Sequence, residues 1–122
     1  MPTELETAQQ FQAAAAVGMR TGDFDALVAL LASDVECVMP QHTLYGADAF
    51  TEEFGRARPS ERFELEFETD GWQHLGNGRY YCEIRVHYRS TVSEADSYSR
   101  DRSFELTIRD GLVSRCEMRF AG

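Results

Sequence analysis

His42 lies three residues past the end of the apolar run Val35–Met39, in the stretch VECVMPQHTLYG. An imidazole with its ordinary pKa of about 6.5 can take up or release a proton near neutrality. At the end of a strand facing a cavity it would be a general acid or base. On a wet turn it would be an unremarkable polar residue. Tyr45, Tyr88 and Tyr98 carry phenols that could donate to a developing oxyanion, although a strand tyrosine more often packs its ring and leaves its hydroxyl in water. Arg102 shares a strand face with Phe104. Its guanidinium could hold a carboxylate or enolate inside a pocket, or lie exposed at the mouth of one. His42, Tyr45 and Arg102 are therefore the candidate catalytic residues.

Other chemistries find no support in the residue pattern. The chain contains no Ser-x-x-Lys, no G-x-S-x-G and no glycine-rich phosphate loop. His42, His74 and His87 are too scattered to suggest a zinc site, so neither a metal nor a cofactor is implied. The three cysteines, Cys37, Cys82 and Cys116, match no C-x-x-C spacing, and each sits in an apolar strand pattern as a small buried hydrophobe would. A formal charge of −9, from 21 acidic and 12 basic residues, repels phosphate backbones and anionic lipid. Neither nucleic acid nor a membrane surface is expected as a partner. No run approaches the roughly 20 apolar residues that cross a bilayer. The polar N-terminal run MPTELETAQQ lacks a signal-peptide pattern, which makes a cytoplasmic location the default expectation.

The elements that must position these side chains can be read in order. With 122 residues and 43% hydrophobic content the chain fits one domain, residues 1–122, with a single core. Thr3 and Glu6 form a capping box ahead of an alanine-rich helix over about residues 4–20, with Leu5, Ala8, Phe11, Ala15 and Met19 at helical spacing. Asp23 then caps a second helix with Phe24, Leu27, Leu30 and Leu31 on its apolar face. A short strand, Val35 to Met39, stops at Pro40. Gly46 opens a third helix that Pro59 terminates.

Beyond Pro59 the period is two, giving strands around Phe63–Phe67, Tyr80–Tyr88, Tyr98–Arg109 and Leu112–Phe120. Asn77-Gly78 is a type I′ hairpin signal and Asp110-Gly111 a second turn. Counting back from Asn77-Gly78 sets Glu68 opposite His87, Glu66 opposite Arg89 and Asp70 opposite Arg85, which joins opposite charges at each place. Simple alternation sends Trp72 to that same outer face, whereas a bulge at Gly71 would turn it inward. The layout is α+β, with three N-terminal helices packed on one face of a curved antiparallel sheet.

At this point GDFDALVALLASDVECVMP, LYGADAF and the closing DGLVSRCEMRF carry a resemblance over nearly all of the chain. It resembles the nuclear-transport-factor-2-like superfamily, and within it the branch of ketosteroid isomerases and SnoaL-like polyketide cyclases. That resemblance implies a cone-shaped fold, and a homodimer formed through the outer face of the sheet.

It also allows the family's catalytic groups to be sought one position at a time. The isomerases' carboxylate base falls on Met39 and their tyrosine donor on Ala15. Their protonated aspartate falls near Arg102, with Asp101 one residue off and facing the other way. The acid of the cyclases and epoxide hydrolases falls on Met118, and the hydrolases' Arg-x-Asp near Ile84 and Val86. The familiar acids are all missing, so the chain is not a standard steroid isomerase or epoxide hydrolase.

The inward faces would line an apolar pocket for a small molecule, with Met39, Phe54, Ile84, Val86 and Tyr88 on its wall. Tyr98, Phe104, Met118 and Phe120 would join them; alternatively these side chains simply fill the core. Two functions stay open. One is cofactor-free proton transfer on an apolar carbonyl compound, as in isomerisation, cyclisation or dehydration. The other is a non-catalytic ligand-binding or dimerisation domain that has lost the carboxylates.

Overall fold

The computed structural model describes residues 2–120. The long helix α1 (Glu4–Thr21) starts at the expected capping box: Thr3 Oγ1 accepts from the Glu6 amide at 3.1 Å, and Glu6 Oε1 accepts from the Thr3 amide at 3.4 Å. It ends at Gly22, whose φ of 85° is the left-handed cap that glycine allows. Arg58 then reaches across, its guanidinium donating to the Met19 and Arg20 carbonyls at 3.3 and 3.4 Å. A cation thus satisfies carbonyls that the helix end leaves open.

The second helix is shorter than its apolar pattern suggests: α2 covers only Asp25–Val28. Its N-cap is Phe24, which makes no side-chain cap bond; Asp23, expected as the cap, lies one residue before it, where Oδ1 accepts the Asp25 amide at 3.0 Å. Leu31, expected on the helix, already belongs to strand β1 (Leu31–Val38) because it pairs with Val113. Then come β2 (Thr43–Tyr45), α3 (Ala47–Arg56), β3 (Phe63–Thr69), β4 (Gln73–Gly76), β5 (Arg79–Ser90), β6 (Tyr98–Arg109) and β7 (Leu112–Phe120).

The sheet is curved, open and mixed, in the order β2-β1-β7-β6-β5-β3, with β4 also on β5. Every ladder is antiparallel except β1 on β7, which runs parallel with Cys37 opposite Cys116. This is the α+β layout expected, with one ladder of the opposite sense. A hairpin cannot make a parallel pair; only a long crossover can, and here the crossover is most of the domain.

Both turns form as read: Asn77 and Gly78 have φ of 54° and 74°, Asp110 and Gly111 54° and 77°. The strand register beyond the first turn differs. Gly76 faces Arg79, His74 faces Tyr80, and Thr69 faces Ile84, so two extra residues have entered the β3–β4 side. His87 is therefore opposite Glu66, and Arg89 opposite Glu64. Two of the expected charge pairs form all the same, along the diagonal: Glu68–His87 at 2.9 Å and Glu66–Arg89 at 2.7 Å. Arg85 pairs instead with Asp101 at 2.7 Å.

The core lies between helices and sheet. Phe11 of α1 meets Phe50 of α3 edge-on at 6.2 Å, Phe50 meets Phe54 at 4.7 Å, and Phe11 meets Phe104 of β6 at 6.4 Å. Cys37, Cys82 and Cys116 are buried free thiols, as their strand positions suggested.

Gly18, buried within α1, lets α2 dock: a β-carbon there would fall inside the Phe24 ring. Helix propensity alone favours alanine over glycine by about 1 kcal/mol. Here packing opposes propensity, and overpacking of this kind costs about 1–3 kcal/mol. Gly18→Ala is expected to lower the unfolding free energy in a urea titration; a gain in stability would mean that the Phe24 contact yields freely.

Candidate functional site

A cavity of about 160 Å³ opens between the helices and the concave side of the sheet. An apolar void of about 150 Å³ is enough to hold benzene, so the space suits one small ring. It lies where two packed clusters meet. One joins α1 and α3 to β1 and β7; the other is Cys82, Ile84, Val86 and Tyr88 of β5 with Phe63, Leu65 and Phe67 of β3. Trp72 and Phe104 touch both clusters.

Most of the residues expected to line a pocket do so. Met39 and Phe54 form part of the helix-side wall, and Ile84, Val86 and Tyr88 supply a stripe of the sheet. Phe104, Met118 and Phe120 continue that wall towards the open end, where Phe120 is half exposed. Tyr98 is outside the lining, stacked on the far side of Tyr88 with ring centroids 4.5 Å apart. Cys37 is core, not wall. The positions onto which the family resemblance carried catalytic groups, Ala15, Met39, Ile84, Val86, Arg102 and Met118, all border the cavity. All but Arg102 are apolar.

His42 and Tyr45 are elsewhere. Both are exposed, Tyr45 at 69%, and neither borders the cavity. The reason is local: the His42 carbonyl accepts from the Met39 amide at 2.9 Å, closing a tight turn, and β2 then runs back along β1 at the edge of the sheet. The proton-transfer role suggested for His42 has no geometric support.

Arg102 is half-buried and sits at the mouth, on the wall beside Phe104 and over the Phe120 ring at 4.4 Å. Its Nη1 donates to the Asp101 carbonyl at 3.1 Å, and no carboxylate among the described residues lies within ion-pair distance of it. Asp101 faces outward, held by Arg85. Burial pushes the Tyr88 phenol up from its ordinary pKa, and the Arg102 charge pulls the other way.

Three polar wall residues were not foreseen as such. Glu53 of α3 borders the cavity and also bonds Arg56 at 3.0 Å. Its sequence signal was present: Phe50, Glu53, Phe54 and Ala57 fall at i, i+3, i+4 and i+7, which puts a carboxylate on an apolar stripe. Gln12 stands in the same relation to Ala15, Ala16 and Met19.

Trp72, left undecided by alternation, borders the cavity. One of the two extra residues lies between Thr69 and Gln73, where Gly71 has φ of 101°, and it reverses the inward face. Trp72 Nε1 is sealed from solvent and has no acceptor among the described residues. A buried donor left unpaired costs about 1–3 kcal/mol.

Burial, and after it the Glu53 charge, pushes the Cys37 thiol up to about 11. The unfolded chain, with a thiol near 9, then loses its proton first as pH rises. Stability contributed by the neutral thiol is complete below pH 9 and falls between there and about 11. Burial raises the Cys116 and Cys82 thiols in the same sense, so urea titrations at pH 7, 9 and 10 are expected to show an alkaline decline that Cys37→Ala reduces without removing, while lowering stability at pH 7.

The SnoaL-like domain model matches residues 9–116. No curated protein sequence matches the chain. Among solved structures, an NTF2-like protein from Anabaena variabilis is 16% identical with a TM-score of 0.75, over 100% of this chain and 95% of its own. A hypothetical protein of ketosteroid isomerase-like fold from Catenulispora acidiphila, in complex with trimethylamine, is 14% identical with a TM-score of 0.66, over 89% and 83%. TerC, co-crystallised with polyporic acid, is 20% identical with a TM-score of 0.67, over 94% and 92%. At these identities the likeness is one of fold.

Proposed function

The chain belongs to the SnoaL-like domain family, and we propose that it binds a small, ring-containing organic acid or related oxyanion in the cavity. The observation that carries this reading is Arg102, a half-buried cation with no carboxylate partner among the described residues, at the mouth of a largely apolar space. Apolar walls take the ring, while the fork of guanidinium donors meets a planar pair of oxygens. Two structural neighbours hold small organic molecules, polyporic acid and trimethylamine, in keeping with a small-molecule role for the fold.

Binding of benzoate can be followed by the fluorescence of the single tryptophan, which borders the cavity. Arg102→Gln should weaken benzoate at least about tenfold, the worth of a charged hydrogen bond, and leave neutral toluene unaffected. Equal loss of both would point to collapse of the cavity; no loss of either would sink the reading.

A second reading, proton transfer on a bound carbonyl compound, is favoured by one observation: Glu53 brings a carboxylate to the wall where the familiar acids are absent. Arg56 also bonds Glu52 at 2.8 Å, so Glu53 can turn to a ligand without stranding that cation. If the reading holds, deuterium from solvent will enter the α-position of a bound ketone such as acetophenone or a cyclohexenone. Glu53→Gln will slow that exchange at least about a hundredfold, the usual worth of a general base, with little change in ligand affinity. Exchange that survives the substitution would leave only the binding role.

A further inference from the structure

We infer that Arg100 is a second anion-binding residue beside Arg102, and that the molecule bound here carries two anionic groups, one at the cavity mouth and one just outside it. This rests on the reading of the cavity as an organic-acid site and specifies which acids fit it.

All 12 basic residues of the chain are arginines, and the structure divides them. Six pair with carboxylates: Arg56, Arg79, Arg85, Arg89, Arg115 and Arg119. Arg20, Arg62, Arg100 and Arg102 form no ion pair among the described residues. They lie instead over the rings of Phe67, Phe63, Tyr98 and Phe120, at 4.9, 5.1, 4.7 and 4.4 Å from the centroids. Those rings belong to the open end of the cavity. Phe67 and Phe120 border it, while Phe63 and Tyr98 pack on Tyr88, which also borders it. With 21 acidic residues available to 12 arginines, cations left unpaired in one place mark a surface from which carboxylates have been kept away.

Arg100 and Arg102 share one setting within this set. Their β5 partners are Val86 and Ile84, both buried and both on the cavity wall, so β6 presents the two arginines to the concave side. Two residues along a strand is a step of about 6.6 Å. Each Nη1 donates to the carbonyl of the preceding residue at 3.1 Å, Arg100 to Ser99 and Arg102 to Asp101. That single bond leaves most of each five-donor fork open. The Asp101 carboxylate between them faces outward to Arg85 and binds neither. Both charges pull down the pKa of the Tyr88 phenol against the effect of its burial, which places both guanidiniums near one hydroxyl at the rim.

A ring seated in the cavity with its acid group on Arg102 thus has a second cation within reach outside. Contact with the Tyr98 ring orients that cation and leaves its N–H fork free to meet a carboxylate or a phosphate. Two like charges a strand step apart repel each other, and a dianion relieves that repulsion more fully than a monoanion.

The test compares ligands of one and two charges on the intact protein. The dianions are benzene-1,3- and benzene-1,4-dicarboxylate and 3- and 4-phosphonooxybenzoate; 3- and 4-carbamoylbenzoate replace the second anion by a neutral amide. Affinities come from calorimetry at low and at physiological salt. At least one dianion is expected to bind roughly tenfold tighter than the amide of the same substitution pattern, the worth of a charge-assisted hydrogen bond, and added salt should shrink the margin. Arg100→Gln should remove the margin. Arg109→Gln deletes the same charge at the other end of β6 and should preserve it. A margin confined to the phosphates marks the ligand as an aryl phosphate, and one confined to the dicarboxylates as a dicarboxylic acid. Amides that bind as tightly as the dianions, or a margin that survives Arg100→Gln or is lost equally in Arg109→Gln, would overturn this inference while leaving the organic-acid reading intact. No binding by any of these compounds or by benzoate would overturn both.

Discussion

Helices of 18, 4 and 10 residues lie over one side of a seven-stranded sheet, and the side chains between the two layers leave a cavity. The packing between these two layers governs the rest of the molecule. Alpha1, about 27 Å long at 1.5 Å per residue, and α3 close over the β1–β7 side through Phe11, Phe50 and Phe54. The β3–β5 side must find cover from its own side chains, and so a second cluster forms there. The space between the two clusters is not filled. A space of about 160 Å³ left unfilled forgoes contacts that a close-packed interior would make. A protein retaining such a defect has a reason to retain it that packing does not provide.

How polarity is distributed over that space follows from the same geometry. Three ion pairs sit on the outer face of the sheet, where Arg85–Asp101, His87–Glu68 and Arg89–Glu66 cross from strand to strand in water. Pairs so exposed contribute little to stability individually; their effect is to make the outer face unambiguous. The concave face is left with Arg102 at its rim and Tyr88 deep in its wall. The helices add Glu53 and Gln12 from across the gap. The polar groups on the cavity wall therefore come from both layers, a cation and a phenol from the sheet and a carboxylate and an amide from the helices.

Much of this was legible in the residues. Alternation over Tyr80–Tyr88 and Tyr98–Arg109 fixed which side chains face inward, and the Asn-Gly and Asp-Gly pairs located both turns. Family resemblance found the cavity by position even though the familiar acids are absent there. What escaped has identifiable causes. His42 looked poised because strand ends often border clefts, but whether a turn folds over a sheet or away from it depends on a tertiary edge that short-range patterning does not contain. The parallel β1–β7 ladder joins segments separated by most of the chain, beyond the reach of local periodicity. Glu53 was hidden by the habit of reading an acidic residue on a helix as solvated, although its spacing to Phe50 and Phe54 pointed inward. The β3–β5 register slipped because each extra residue leaves no mark on composition; two such slips restore the alternation, so the charge pattern still matched.

That restoration has a consequence for how the site could change over generations. Because the two irregularities compensate, the strands on either side keep their faces regardless of what happens between them, and only the short piece from Asp70 to Leu75 has the opposite sense. Because each irregularity is a single extra residue, a deletion there can be absorbed by removing one of them, with the pairing of β3 and of Gly76 with Arg79 unchanged. The sheet can thus tolerate an indel of one residue in this piece, a step that in a regular strand would turn the inner face outward.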